Sequence, residues 1–311
     1  MQDSQPTAPR LTFVPGAKSL RVDIDTNGIH FSCPMPRLAG PESQCLATGA
    51  SVRQLDDGAL LEGSDGDLSG VLLAEENIPL EEASEKIFNR LFSLLDGRHI
   101  RRIWSFVPAI NQRVDGRENY LSFNAGRHKA FTRLWGEILP DALPAASALG
   151  IDRARLGLAF SAGSADVSLF ENPLQVPACR YPERYGKLPP LFARGSSSHH
   201  DGQEVWHLSG TASIKGSDTI GLDINKQLAT TIENSRIVIE RMGVPADLPG
   251  CWKVFLRHAH DLDAARAALE NAWPGAAHQW LYLRADICRS SLLVEVEAAF
   301  DTSIRAALVH A

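Results

Sequence analysis

Near the end of the chain, the run LLVEVEA carries two carboxylates on what reads as a strand. Alternation places Leu293, Glu295 and Glu297 on one face and Leu292, Val294 and Val296 on the other. The apolar face must meet a core. The glutamate face has two readings. Glutamate is almost never buried without a partner, so the commoner outcome puts both carboxylates in water. The other sends Glu295 into a pocket, where loss of solvent raises its pKa and keeps it protonated near neutral pH. A carboxyl in that state can act as a general acid. Cys288 stands shortly before it. A buried cysteine is usually a small hydrophobe, but Arg284, Asp286 and Arg289 surround it in sequence and would alter its ionisation if they touched it.

Groups that could hold an anion gather in two places. CRYPERYGKLPPLFARG, Cys179 to Gly195, holds Arg180, Arg184, Lys187 and Arg194 with Tyr181 and Tyr185. Arginine grips a carboxylate with paired donors, and tyrosine adds a hydroxyl. Arg113, Arg117, Arg127 and Arg133 form the second group. Most such arginines are simply solvated. Arg194 is the better candidate, because its Pro-rich connector leads into WHLSGTASIKGS, Trp206 to Ser217. That stretch starts like a buried strand and then turns to small residues, which fill little core volume and leave space. His199 and His200, in GSSSHHDGQE, read as part of a polar loop without enough neighbouring ligands for a metal.

Several chemistries lack their motifs. There is no GxGxxG before a helix, GxxxxGK[ST], HExxH or GxSxG, so neither a nucleotide cofactor nor a catalytic zinc is expected. The five cysteines are widely spaced, with no CxxC, unlike a disulfide framework or zinc site. A net charge of -6 argues against nucleic acid as a partner, while local arginines still permit a small anionic substrate. The first residues lack the pattern of a signal peptide, and no apolar run approaches a membrane span of about 20 residues. The expected address is a reducing cytoplasm, without a membrane partner.

The elements that would position these groups follow from periodicity. Residues 1–17 read as a loose arm. Alternation on both sides of Thr26-Asn27-Gly28 predicts a hairpin with a type I′ turn at Asn-Gly. Pro79 to Gly97 reads as a helix with Phe88, Leu91, Phe92 and Leu95 on one face, followed by a strand from His99 and a helix over 120–139. PDALPAASALG reads as a junction. A second series follows: strands in LGLAFSAG and EVWHLSGTAS, a helix from Leu222 to Gly243, the strand CWKVFLRHA, a shorter helix and closing strands. The order repeats, which predicts an α+β fold of two copies of one unit, residues 1–148 and 149–311, with mixed β-sheets packed against long helices.

LSGTASIKG, then Gln227, Asn234 and Gly243, then LLVEVEA occur in the order of the RidA/YjgF-like pattern, and residues 155–300 resemble that superfamily. WSFVPAIN, ENYLSFNAGRHKAF, YGKLPPLFARG, SGTASIKG and CRSSLLVEVEA extend the resemblance to its chorismatase branch, whose members resemble a fused pair of RidA-like (chorismate-mutase-like) units. The resemblance implies chorismate as substrate and loss of its enolpyruvyl group as pyruvate, without metal or redox cofactor. It places Arg284 and Glu295 at the ligand site, with Glu295 as the acid. Arg194, Tyr185 and Arg127 join Arg284 as candidates for binding the dianion. Gly210, Thr211 and Ala212 would keep their strand low enough for a ring to lie on it. The branch divides by product: some members make a dihydroxy-cyclohexadiene acid, others 3-hydroxybenzoate, sometimes with 4-hydroxybenzoate. Ala212 resembles the first group and Cys288 the second; the thiol can take part in chemistry where a methyl cannot, which favours the hydroxybenzoate. Gly216-Ser217 stands where members often carry Gly-His. A fused pair can satisfy its contacts internally, so a monomer is expected. A RidA-like imine hydrolase and a silent binder of aromatic acids are the rival readings.

Overall fold

The computed structural model describes residues 8–301 except 64–65, 139, 153–154, 201–202 and 275–276. Two seven-stranded sheets face each other, and a pair of helices covers the outer side of each. The first sheet runs, in spatial order, Asp286–Ile287, Ala145–Ile151, His99–Pro108, Gly157–Gly163, Leu68–Leu73, Gly58–Glu62 and Ser51–Leu55. The second runs Arg37–Ala39, Gln279–Arg284, Gly250–Leu256, Val294–Asp301, Gln203–Ala212, Gly195–His200 and Val167–Phe170. In both, the second and third strands pair parallel and all other neighbours antiparallel.

The helices fall at matching points of the two series: α1 (Leu80–Leu95) and α2 (Asn119–Trp135) in the first, α3 (Ile224–Met242) and α4 (Leu262–Ala272) in the second. The α+β architecture and the repeated order expected from the sequence are therefore present. The division at 148/149 is not where the pairing divides the chain. That point lies inside Ala145–Ile151, and Gly157–Gly163 still belongs to the first sheet. Each sheet also closes with a short edge strand from the other end of the chain, Asp286–Ile287 or Arg37–Ala39.

On α1, Phe88, Leu91 and Leu95 are buried as their spacing requires, and Phe92 packs edge-on to Phe131 of α2. The helix stops at Asp96 in the left-handed conformation, followed by Gly97. α2 is less amphipathic because its inner face also carries Asn124 and Arg127, both buried. Asp223 caps α3, its carboxylate accepting from Lys226 N, and left-handed Gly243 ends it. Among the described residues no helix is long and apolar enough to cross a membrane.

Four local expectations change. The arm contains a strand, Arg10–Pro15, paired parallel to Gly28–Cys33; residues 1–7 lie outside the described ones. The hairpin exists, but its loop is Thr26-Asn27, and Asn27 does not take the positive φ that a type I′ turn needs. Gly28 is needed for another reason: its φ is 123° and a Cβ there would lie 2.2 Å from Arg10 O. The Pro/Ala junction holds the buried strand Ala145–Ile151, and the polar histidine stretch holds Gly195–His200. In both places small or polar composition hid a strand covered on its two faces.

That double cover also settles the two glutamates. Val294 and Val296 face the helix-covered core with Leu228, Val238 and Trp252. The opposite face of the same strand meets the first sheet rather than water, so Glu295 and Glu297 are only 4% and 2% exposed. At one end, the gap between the sheets is filled by the four-stranded N-terminal sheet, whose Phe13 stacks on Phe106 while its Phe31 meets the same ring edge-on. At another part of the gap lies a cleft.

Candidate active site

The cleft encloses about 520 Å³. One wall comes from α2 and the strand Ala145–Ile151, and the other from Gln203–Ala212, Val294–Asp301 and the turn at 288–291. The connector between Tyr181 and Arg194 covers it. The site thus draws on both halves of the repeat.

Glu295 lies on its floor. Burial pushes its carboxyl up to about 8; the neighbouring Glu297 charge adds to this, while Arg102 and Arg194 oppose it. Gly210, on the adjacent strand, makes room for the acid. A Cβ at 210 would stand 2.2 Å from Glu295 Oε1 and 3.0 Å from Ser147 Oγ. The small-residue stretch therefore accommodates the carboxyl as well as any ligand above it. Gly210 and Ala212 line the cleft, as expected, but Thr211 does not. Alternation turns Thr211 to the other face, where its hydroxyl donates to Ser209 O at 2.9 Å.

Cys288 borders the cleft beside Glu295. Burial pushes its thiol up to about 12, with the Glu295 charge acting in the same direction. It is a neutral thiol, not a thiolate nucleophile. Tyr120 and Phe192 extend the apolar side, and neither was singled out from the sequence.

The cations divide into those already matched and those facing the space. Arg127 is 3% exposed, donates to Asn124 Oδ1 at 2.8 Å and leaves its buried Nε without a partner. No carboxylate pairs with it among the described residues, and burial lowers its pKa to about 10. Arg194 donates to Tyr181 Oη at 2.7 Å and lies against Phe192, with Glu171 only at 3.8 Å. A buried guanidinium without a close carboxylate favours an anionic ligand. Arg113 and Arg184 also border the cleft, but Arg184 is paired with Asp218 at 2.6 Å, and Arg117 and Arg133 are taken up by Glu81 and Glu85 of α1.

Two other expectations shift. The ring of Tyr185 lines the cleft, but its hydroxyl donates to Asp218 at 2.6 Å. Arg284 is not at the cleft. Its strand is separated from that of Glu295 by Gly250–Leu256, and its guanidinium points toward Asp152 at 3.6 Å. Arg289 is there instead. It donates to Ser217 O at 2.8 Å and stacks 3.8 Å from the ring centre of Tyr185. Its position next to Cys288 was the only signal of this in the sequence. Ser217, where relatives were expected to carry histidine, accepts from Arg184 at 3.0 Å.

Gln227 and Asn234 act from behind the site. Asn234 Nδ2 donates to Ala212 O at 3.0 Å and Ile214 O at 2.8 Å, fixing the end of the small-residue strand. Gln227 donates to Ser291 O and accepts from Leu293 N, both at 2.8 Å, fixing the approach to Glu295. Replacing Asn234 with Ala strands two buried carbonyls and is expected to cost about 1–3 kcal/mol. Urea unfolding of the two proteins measures the loss.

Comparison with known proteins gives this arrangement a family. Residues 44–162 match the profile described as Chorismatase FkbO/Hyg5-like, N-terminal. A 3-hydroxybenzoate synthase of Streptomyces hygroscopicus is 34% identical over 241 residues, 70% of this chain and 68% of that protein. A chorismatase of Streptomyces rapamycinicus is 32% identical over 248 residues, covering 74% and 73%. A crystal structure of a chorismatase superposes with a TM-score of 0.84 at 25% identity, over 96% of this chain and 95% of that one. The shared identity, the shared length and the shared fold lead to one conclusion: this chain belongs to the chorismatase family.

Proposed function

We propose that the protein cleaves chorismate to pyruvate and a hydroxybenzoate, chiefly the 3-isomer, with Glu295 as general acid. The observation that carries this reading is a buried carboxyl, pushed up by burial, inside a cleft where two buried guanidinium groups, Arg127 and Arg194, have no carboxylate within hydrogen-bond distance among the described residues. Chorismate is a dianion, and Arg127 and Arg194 suit its carboxylates. Protonation of the enolpyruvyl methylene carbon by Glu295 weakens the bond between the ether oxygen and ring C3. As it breaks, the side chain leaves as pyruvate with that oxygen, and the ring's own C4 hydroxyl oxygen bonds to C3 and releases C4, which gives the 3-isomer. A hydroxybenzoate and pyruvate together contain the atoms of chorismate with none added. The ring must give up a proton to become aromatic, and that proton can restore Glu295 to its acid form. The diene diol instead takes up one water.

Cys288 favours the hydroxybenzoate route by standing beside Glu295 as a neutral thiol. Ala212 supports the second reading, hydrolysis to the diol, since it borders the same space. Incubation with chorismate alone, followed by chromatography, tests both. Hydroxybenzoate with equimolar pyruvate is expected. Diol with pyruvate reverses the subtype, and absence of pyruvate removes the reaction. Cys288→Ala is expected to turn most of the product from hydroxybenzoate to diol while pyruvate release stays within about tenfold, a 1.4 kcal/mol change in barrier.

A further inference from the structure

Glu297 lies two residues beyond Glu295 on the same inward face, yet its surroundings are opposite. Its carboxylate accepts from Arg102 at 2.8 Å, Trp104 Nε1 at 2.9 Å and Lys253 Nζ at 3.0 Å. Arg102 also donates to Ser147, which itself lines the cleft. Glu295 forms no ion pair with either cation among the described residues. The two cations nearest the inner face of the strand are thus bound to the glutamate that does not border the cleft.

We infer that Glu297 is a positioning residue for the acid: it retains Arg102 and Lys253 and sets a fixed negative charge beside Glu295, so that Glu295 keeps its proton. The inference rests on the proposed role of Glu295. Burial alone would raise Glu297, but Lys253 and Arg102 outweigh it and hold the group ionised. A permanently charged neighbour opposes a second negative charge on Glu295. Two like groups driven apart by their surroundings is a general way to divide acid and base roles. The other groups facing Glu295 are Arg102 from the first sheet, Arg194 from the connector, Cys288 from the neighbouring turn, and Tyr120 from α2 on the opposite wall. Arg102 and Arg194 favour its ionised form, so the Glu297 charge acts against them.

The test is the pH profile of kcat for pyruvate release, with a carboxyl 13C NMR titration of Glu295 in parallel. In Glu297→Gln the alkaline limb and the Glu295 titration are expected to move down together by about one pH unit or more, since a close like charge is removed and two cations are freed. Lys253→Met keeps the carboxylate and removes a cation, so both readouts are expected to move up; this variant decides the matter if Glu297→Gln does not fold. A structural role alone would lower kcat equally at all pH values and leave the titration in place, and that result overturns the inference. If the native protein releases no pyruvate at any pH, the proposed reaction fails, while the titration still reports whether Glu297 controls Glu295.

Discussion

Glu295→Gln is expected to lower pyruvate release from chorismate by about 10²–10⁴-fold, the usual contribution of a positioned general acid. Glutamine keeps the shape that Gly210 accommodates but has no proton to give to carbon. The lost rate should appear in kcat, with chorismate still held by the arginines; a coupled pyruvate assay and a binding titration separate the two. If the variant turns over normally, Glu295 is not the acid. The same substitution has an opposite effect on stability. The folded-state pKa of about 8 lies above the ordinary 4.5, so between these values the folded chain binds the extra proton. Stability from this group is complete below pH 4.5 and is lost as pH rises through 8. The glutamine variant should therefore unfold at higher urea than the native protein at pH 9, and show little such advantage at pH 5.

Arg127→Met is expected to raise KM about 10²–10³-fold, the range for losing one partner of a buried, hydrogen-bonded charge pair. It should leave kcat far less changed, because Arg127 is assigned to holding the anion, not to moving a proton. Among the described residues the guanidinium has a hydrogen bond to Asn124 and no carboxylate partner. Its replacement by an apolar chain of similar length should then stabilise the free protein by about 1–3 kcal/mol. A normal KM would remove Arg127 from the binding site. A raised KM together with a raised denaturation midpoint would identify a charge kept for binding at the expense of folding.

Much of this site was legible in the sequence, for particular reasons. Alternation in LLVEVEA put Glu295 and Glu297 on one face, but could not say that a second sheet, not water, covers that face. Partners distant in sequence decided it: Arg102 meets Glu297 across the two halves. The gap left by Gly210 was visible as an absence of side chains, while the atom that fills it was not. Arg289 and Arg284 flank Cys288 in sequence. Only strand order shows that Arg284 is carried away to Asp152 and that the turn brings Arg289 to Tyr185. The repeat was readable as a sequence of elements, whereas its boundary was masked because Ala145–Ile151 is poor in large residues and looks like a linker.

The exchanged edge strands make the two halves one folding unit. Ala39 must wait for Tyr282, and Leu149 for Ile287, so neither sheet can be completed until nearly the whole chain has been synthesised. Such long-range pairings slow folding. They also mean that a cut near residue 165 would yield two fragments, each lacking an edge that the other carries. The cleft around Glu295, lined by both, would arise only when the fragments recombine.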